Sequence, residues 1–250
     1  MCDTCGCNVT PGNRHLLESA HPAGGREPVA VLQGLLAEND RAAAHNRAHL
    51  ETHGVLAVNL MSSPGAGKTT LLEQTIDRLG GRWRLAVIEG DLETERDAER
   101  IRARGVPVVQ ITTGTACHLD AHMVHRALHR LDLSRLDLLF IENVGNLVCP
   151  AAFDLGQHHN VTLLAVTEGD DKPAKYPVMF RAAHLVLFTK ADLLPVLGDF
   201  APDRAEDHLR RLGSAVPVLS LSARTGDGVE AWCRWLETAL DARRTGAAAP

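Results

Sequence analysis

The sequence predicts an α/β fold, with a mostly parallel sheet of about seven strands and helices on both faces. Short, nearly continuous apolar runs alternate with segments of helical periodicity over most of the chain. Strands of this character are typical of parallel sheets buried on both faces. In addition, the apolar run at residues 55–61 leads into a turn of small residues, and a helix-forming run follows at once.

The elements can be placed from these patterns. Strands are predicted at residues 55–61, 85–89, 106–112, 138–142, 161–167, 185–189 and 216–221. Helices are predicted directly after the small-residue turn and at residues 29–53, 93–104, 117–131, 202–212 and 229–242. Ligands of parallel sheets bind at the carboxyl ends of the strands, so we expect functional residues where each strand ends.

Two parts are predicted along the chain. Residues 1–28 form a flexible tail, because the stretch after its first residues is poor in apolar side chains and contains Pro11, Gly12, Pro22, Gly24 and Gly25. Residues 29–250 form the α/β domain, which begins with a helix that ends before Gly54.

The turn after the first strand has the pattern of a phosphate-binding P-loop. Residues 62–69 match G-x-x-x-x-G-K-[ST], except that Ser62 replaces the first glycine. Backbone amides of the loop and the positive end of the following helix favour an anion. Lys68 can reach the β- and γ-phosphates, and the Thr69 hydroxyl can ligate Mg²⁺. The residues predicted to contact phosphate are Gly65, Ala66, Gly67, Lys68, Thr69 and Thr70.

Carboxylates follow two further strands. Asp91 comes after the second strand, and Glu142 ends the fourth and is followed by Asn-Val-Gly. The second pattern resembles the D-x-x-G of GTPases, in which the glycine N–H, here that of Gly145, contacts the γ-phosphate. Lys68, Asp91 and Glu142 are the predicted catalytic residues. Thr69, Asp91 and Glu142 are the predicted magnesium ligands.

A guanine-binding loop is predicted after the sixth strand. Residues 189–192 resemble the N-K-x-D motif, with Lys190 retained and Thr189 in place of Asn. The Asp192 carboxylate can accept hydrogen bonds from guanine N1–H and N2–H₂, a pattern that adenine does not present. Further contacts to the base are predicted at Ser222, Ala223 and Arg224. GTP is therefore favoured over ATP, and Asp192 disfavours an ATP-driven partition-type protein.

Two cysteine groups indicate metal binding. Cys2, Cys5 and Cys7 place three thiols within a stretch of six residues, 2–7, next to the terminus, and thiolates suit Zn²⁺, Ni²⁺ or Cu⁺. The terminal amine can supply a fourth ligand. The alternative to a metal site is a flexible tail whose thiols have no ligand role and simply oxidise. A second group lies at the edge of the sheet where phosphate is expected to bind. The alternative to a metal site there is two small packed thiols and a surface histidine without a ligand role. Its members are Cys117, His118 and Cys149.

Other residues of metal-ligand type are interpreted as structural. His45, His49 and His53 share one helix face, but no carboxylate or thiol completes a site, so a solvated polar face is favoured. A solvated face is also predicted for the residues at 122, 125 and 129, which are all histidine. Cys233 lies between two tryptophans on the last helix and is predicted to pack in the core.

Composition excludes several classes of protein. The chain has 250 residues, 45% of them hydrophobic, and a net charge of −5, which argues against nucleic acid as the main partner. No apolar run approaches the roughly 20 residues needed to span a bilayer. The start of the chain is rich in cysteine and does not read as a signal peptide. The expectation is a cytoplasmic protein without a membrane partner.

The combined motifs resemble the HypB family, GTPase accessory proteins for nickel insertion into [NiFe]-hydrogenase. The resemblance covers residues 29–242 and the cysteine-rich start of the chain. It is carried by Ala-Glu-Asn-Asp-Arg at 37–41, by residues 59–69, by Gly-Thr-Ala-Cys-His-Leu at 114–119, by residues 142–150 and by Thr-Glu-Gly-Asp-Asp-Lys-Pro at 167–173.

This resemblance implies a GTP-dependent homodimer of the signal-recognition/MinD-like class of P-loop NTPases. It implies a tight nickel site at Cys2, Cys5 and Cys7, and a nickel or zinc site at Cys117, His118 and Cys149 that both subunits contribute. The implied cofactors are GTP, Mg²⁺, Ni²⁺ and Zn²⁺. The implied partners are a nickel chaperone of hydrogenase maturation and the hydrogenase large subunit.

The sequence departs from the family in two ways and leaves two alternatives open. The His-rich tract of some members is missing, which argues against bulk nickel storage, and Thr189 replaces the Asn of the guanine motif. One alternative is a related accessory GTPase for urease or cobalamin enzymes. The other is a nickel or zinc storage or sensing protein in which the nucleotide is only structural.

Overall fold

The computed structural model describes residues 28–91, 95–114, 116–213 and 215–245, with side chains from residue 34 onward. Residues 1–27 of the predicted tail, with Cys2, Cys5 and Cys7, lie outside the described residues, and Pro28 already belongs to the first helix. The described part contains one parallel sheet of seven strands in the order β3-β2-β4-β1-β5-β6-β7. The strands are β1 Leu56–Ser62, β2 Leu85–Asp91, β3 Val108–Thr112, β4 Leu138–Glu142, β5 His159–Ala165, β6 Leu185–Thr189 and β7 Val218–Ser220.

Helices connect these strands and cover both faces of the sheet. They are α1 Pro28–Thr52, α2 Lys68–Leu79, α3 Arg96–Arg102, α4 Ala121–Leu128, α5 Lys172–Lys175, α6 Pro177–Arg181, α7 Pro202–Arg211 and α8 Val229–Thr245. Short 3₁₀ turns are formed by Leu133–Arg135, Pro150–Ala152 and Ala191–Leu193. No described helix is both long and apolar enough to cross a membrane.

The core lies on both sides of the central strand β1, in which all seven residues are buried. Val58 and Leu60 point toward the cluster that contains Trp232 of α8, whereas Ala57 points toward the cluster under α1 and α4. Alternate residues of one strand therefore fill two hydrophobic layers, as expected for a sheet covered twice. Cys233 is 1% exposed within the first cluster, which confirms the predicted packing role.

The predicted fold is confirmed. The differences are shifted element ends and the two short helices α5 and α6, which the sequence patterns did not predict. The helix predicted from residue 117 begins at Ala121, because the Asp120 side chain accepts a hydrogen bond from Met123 N at 2.7 Å and caps it there. Cys117 and His118 therefore lie in the loop before α4. The predicted start of this helix at residue 117 is therefore wrong by four residues.

The register of the parallel strands brings the residues of the site to one edge of the sheet. Leu60 of β1 and Glu89 of β2 both pair with Glu142 of β4, at the carboxyl ends of three adjacent strands. The chain then leaves each of these strands on the same edge of the sheet. The P-loop, the segment after β2 and the loop after β4 consequently meet there.

Candidate nucleotide and metal site

The P-loop has a conformation that requires glycine. Gly65 and Gly67 have φ values of 76° and 93°, a left-handed region that residues with a Cβ rarely adopt. Gly67 is the residue that precedes α2, which begins at Lys68. The loop amides and the positive end of α2 therefore face one cleft, which is the arrangement that binds phosphate in other proteins.

The serine that replaces the first glycine of the motif contacts the motif lysine. Lys68 Nζ donates to Ser62 Oγ at 3.0 Å, and Lys68 is buried. The Thr69 hydroxyl donates to Glu142 Oε1 at 2.9 Å, so it joins the P-loop to the end of β4. Lys68, Thr69 and Glu142 were all predicted as site residues, and the structure brings them together.

A carboxylate cluster lies beside these contacts. Oxygens of Glu89, Asp97 and Glu142 lie within 4.8 Å of one another. Oε2 of both glutamates is buried without a hydrogen-bond partner among the described residues. Burial, with a contribution from the Glu142 charge, raises the pKa of Glu89 to about 8. Burial likewise raises the pKa of Glu142 to about 7, against the opposing effect of Lys68. These orphaned oxygens fit a divalent cation that prefers oxygen ligands.

Sequence reasoning missed two members of this cluster. Asp91, the predicted ligand, lines the same cleft, but the carboxylates that group with Glu142 are Glu89 and Asp97. Glu89 ends the predicted strand 85–89 just as Glu142 ends the predicted strand 138–142, and this shared position was the sequence signal that could have found it. Asp97 lies on α3, whose position beside the cleft follows only from tertiary packing.

The phosphate end of the cleft has a volume of about 480 Å³ and includes Gly145. A Cβ at Gly145 would lie 2.8 Å from Pro64 Cα, so a glycine lets the loop after β4 approach the P-loop closely. Arg100 of α3, another residue that sequence reasoning missed, also lines this cleft. Its guanidinium contacts Thr70 Oγ1 at 3.2 Å and pairs with Glu73 and Asp97.

The base end is a cavity of about 240 Å³ that shares Gly67, Thr70 and Lys190 with the phosphate end. Its lining contains the predicted guanine contacts Asp192, Ser222, Ala223 and Arg224. Thr189 has a different contact: its Oγ1 donates to the Ala66 carbonyl of the P-loop at 2.7 Å. The threonine at the Asn position of the motif thus fixes the base loop to the phosphate loop.

The three residues predicted as the second metal site converge within one chain. Cys117 Sγ lies 3.0 Å from Cys149 Sγ and 3.7 Å from His118 Nδ1. His118 stacks on Phe153 with 4.0 Å between ring centroids, and burial lowers the pKa of its imidazole. Two sulfurs and a neutral imidazole suit a borderline or soft ion, and they leave room for another ligand.

Two asparagines join this triad to the nucleotide cleft. Asn146 N donates to Ser62 O at 2.7 Å, and Asn146 Nδ2 donates to Cys117 O at 3.3 Å. Asn143 Oδ1 accepts from Leu119 N at 3.2 Å, next to His118. The loop after β4 therefore has hydrogen bonds to both the P-loop and the segment that contains the metal-type residues.

Fold and site define a P-loop nucleotide-binding protein of the NTPase type. Residues 56–220 match the family described as the CobW/HypB/UreG nucleotide-binding domain. The chain belongs to this family and, by the identities that follow, to its HypB members, the hydrogenase maturation factors.

Curated relatives support this membership. The chain is similar to "Hydrogenase maturation factor HypB" of Azotobacter vinelandii, 58% identical over 84% of this chain and 69% of the relative. It is 51% identical to the protein of the same name from Escherichia coli strain K12, over 85% of this chain and 73% of the relative.

Among solved structures, HypB from Helicobacter pylori in complex with nickel is 41% identical with a TM-score of 0.78, over 84% of this chain and 96% of that one. Hydrogenase maturation factor HypB from Archaeoglobus fulgidus is 40% identical with a TM-score of 0.77, over 82% of this chain and 100% of that one. These similarities confirm the family resemblance and the P-loop α/β fold predicted from the sequence.

Proposed function

We propose that the protein is a GTP-hydrolysing metallochaperone that delivers nickel during maturation of [NiFe]-hydrogenase. The observation that carries this proposal is the loop from Glu142 to Cys149. It begins at the carboxylate beside the P-loop and ends at a thiol of the Cys117, His118 and Cys149 triad. A change at the γ-phosphate therefore has a short structural route to a metal ligand.

GTP is the proposed nucleotide because Asp192 lines the base cavity together with Ser222 and Ala223. A carboxylate at this place accepts from guanine N1–H and N2–H₂ and is mismatched with adenine. The contact of Thr189 with Ala66 supports a fixed relation between base and phosphates.

The phosphate end of the cleft supports the proposal of GTP hydrolysis. Lys68 Nζ, held by Ser62 in this structure, is within the cleft that the β- and γ-phosphates would occupy, and its charge stabilises the charge that develops on them. Thr69, Asp91 and Glu142, with Glu89 and Asp97, are the groups that would hold Mg²⁺, which neutralises phosphate charge when bound. The Gly145 N–H is proposed to contact the γ-phosphate. Water would attack the γ-phosphorus in line, the bond from that phosphorus to the β–γ bridging oxygen would break, and GDP and phosphate would leave.

Nickel is the proposed cargo. The triad supplies two thiols and an imidazole, a set that also accepts zinc, and a similar protein from Helicobacter pylori was solved with nickel. In the proposed homodimer both subunits contribute to this site. Cys2, Cys5 and Cys7, outside the described residues, are proposed as a separate and tighter nickel site. The proposed partners are a nickel chaperone of hydrogenase maturation and the hydrogenase large subunit, in the cytoplasm.

A second candidate function is nickel delivery to urease. A similar protein from Helicobacter hepaticus, 44% identical over 82% of this chain, has the name "Hydrogenase/urease maturation factor HypB". A nickel or zinc storage or sensing role differs from both, because it needs no nucleotide turnover.

The test is a turnover and transfer assay on the untagged full chain. We expect phosphate release from GTP and not from ATP, and its loss in Lys68→Ala. We also expect that Cys2→Ala/Cys5→Ala/Cys7→Ala removes the tightest nickel binding and leaves GTP hydrolysis intact. Nickel should pass to a metal-free hydrogenase large subunit faster with GTP than with a non-hydrolysable analogue. Equal transfer with both nucleotides would favour the storage role, and transfer only to metal-free urease would favour the second candidate.

A further inference from the structure

Two sets of histidines that the sequence placed on separate solvated faces lie against each other. Helices α1 and α4 pack together over the core cluster that contains Leu50, Val124 and Leu128. At this junction five imidazoles form a continuous series of ring contacts. The centroid distances are 5.2 Å for His53 and His49, 5.7 Å for His49 and His129, 4.5 Å for His129 and His125, and 5.0 Å for His125 and His45.

The central pair has the geometry of a chelate. His125 and His129 lie one helical turn apart, and their Nε2 atoms are 3.1 Å from each other. Two nitrogens that are each about 2.0–2.1 Å from one metal ion are about 2.9–3.4 Å apart at square-planar or tetrahedral angles. The observed separation falls within this range.

A buried asparagine orients the first of these rings. Asn46 Nδ2 donates to Ala121 O at 2.8 Å and to Leu155 O at 3.1 Å, so its Oδ1 is directed to the other side as an acceptor. That oxygen lies 3.0 Å from His125 Nδ1, so Nδ1 is the nitrogen that carries the proton when the ring is neutral. The lone pair of His125 is then on Nε2, toward His129. Such partners of metal-binding histidines fix the tautomer that binds the ion.

The facing helix places a further imidazole, that of His49, beside this pair, with its ring centroid 5.7 Å from that of His129. Nδ1 of His49 is buried and has no hydrogen-bond partner among the described residues.

The cluster contains imidazole rather than carboxylate. In the part of the chain that the structure describes, the one ion pair between an acidic residue and a histidine joins Glu38 to His122, at the edge of the cluster. Nitrogen ligands without carboxylates favour borderline transition metals over Mg²⁺ or Ca²⁺.

We propose that His125 and His129 together bind one divalent transition-metal ion such as Ni²⁺ or Zn²⁺, with His49, His45 and His53 at the rim. This site is separate from the triad of Cys117, His118 and Cys149 and from the terminal cysteines. It gives the chain a nitrogen-only metal site between α1 and α4, and it does not depend on nucleotide hydrolysis or on the proposed cargo role.

The experiment is a nickel titration of the untagged full chain in which Cys2, Cys5, Cys7, Cys117 and Cys149 are replaced by serine. Without these thiols, we expect one Ni²⁺ per chain, detected by calorimetry and by paramagnetic broadening of the His125 and His129 imidazole signals in NMR. His125→Gln/His129→Gln should lower the affinity about tenfold or more. His208→Gln is the matched control, because His208 lies on α7, which packs in a different core cluster.

The proposal is overturned if the thiol-free chain binds no nickel, if His125→Gln/His129→Gln binds as tightly as its parent, or if His208→Gln causes an equal loss. His129→Gln alone, at an exposed position, keeps the test valid if the double variant unfolds. GTP hydrolysis by His125→Gln/His129→Gln in the chain with native cysteines should be unchanged, so failure here is distinguishable from failure of the proposed function.

Discussion

Thr189 illustrates how one side chain can replace another with a different contact. An asparagine at this place in the guanine motif has an amide, whereas the Thr189 hydroxyl reaches Ala66 O in the P-loop. We expect Thr189→Val to weaken GTP binding by about 1 kcal/mol, the usual net value of one hydrogen bond. Thr189→Ser keeps the hydroxyl and is the control. Equal GTP affinities of the valine and serine variants in a titration would contradict a role for this contact.

Asp192 is the residue on which base selection depends. Asp192→Asn exchanges an acceptor for a donor facing guanine N1–H or N2–H₂. We expect GTP binding to weaken by about 1–3 kcal/mol for a polar mismatch, with improved relative binding of xanthine nucleotides. Asp199→Asn, at an exposed position nearby in the chain, should bind GTP normally. Unchanged GTP affinity in Asp192→Asn would remove this loop from the base site.

At the scale of elements, Asp137 joins the beginnings of β2 and β4. It accepts hydrogen bonds from Arg84 N and Nε at 2.9 Å each, and it also pairs with Arg244. The Arg84 hydrogen bonds lower the pKa of Asp137 from 3.8 to about 2. Because the folded-state value is below the unfolded value, this stabilisation is present above pH 3.8 and is lost as the pH falls toward 2.

Asp137→Asn should therefore destabilise the fold at neutral pH and not near pH 2. Since the arginine partners are exposed and screened by solvent, we expect a loss of about 1 kcal/mol. Denaturant unfolding at several pH values measures this difference, with Asp199→Asn as the control. A difference that stays constant down to pH 2 would show that the effect is one of packing and not of charge.

The loop after β4 is the element that connects nucleotide and metal groups. Asn146→Ala removes the hydrogen bond to Cys117 O and the one that its Oδ1 accepts from Val148 N at 2.8 Å. We expect the dependence of triad metal affinity on nucleotide state to fall about fivefold or more. Asn146→Asp keeps the acceptor and loses the donor to Cys117, so it should behave like alanine if that contact transmits the change. Full coupling in both variants would contradict the proposed route.

For the whole molecule, the features predicted correctly from the sequence are those that patterns of neighbouring residues determine. Apolar runs and the glycines of the P-loop were sufficient for the strand order along the chain, the phosphate loop and the residues at each strand end. The grouping of Glu89 with Asp97, the contacts of Asn146 and the meeting of His49 with His129 were missed. Each of these depends on the register of paired strands or on the packing of two helices distant in sequence, which local periodicity does not contain.

We expect the whole molecule to act as a switch in which the bound nucleotide changes the metal affinity of the triad. If the loop from Glu142 to Cys149 has two positions, its GTP and GDP states must differ in the metal affinity of the triad. Linkage then requires that metal changes the relative affinities for GTP and GDP by the same factor, typically about 5–150-fold for coupled sites. We expect this factor in both directions, measured on the full chain with Cys2→Ala/Cys5→Ala/Cys7→Ala to isolate the triad.

Metal affinity is measured with GDP and with a non-hydrolysable GTP analogue, and nucleotide affinity with and without metal. Cys149→Ala should abolish the difference, because Cys149 is the triad member on the loop that begins at Glu142, whereas Cys117 and His118 precede α4. Equal metal affinities in the two nucleotide states would leave the P-loop and the triad in place but remove the switch. A difference that persists in Cys149→Ala would move the coupling to Asn143 and Leu119, the other hydrogen-bonded link between the two sites.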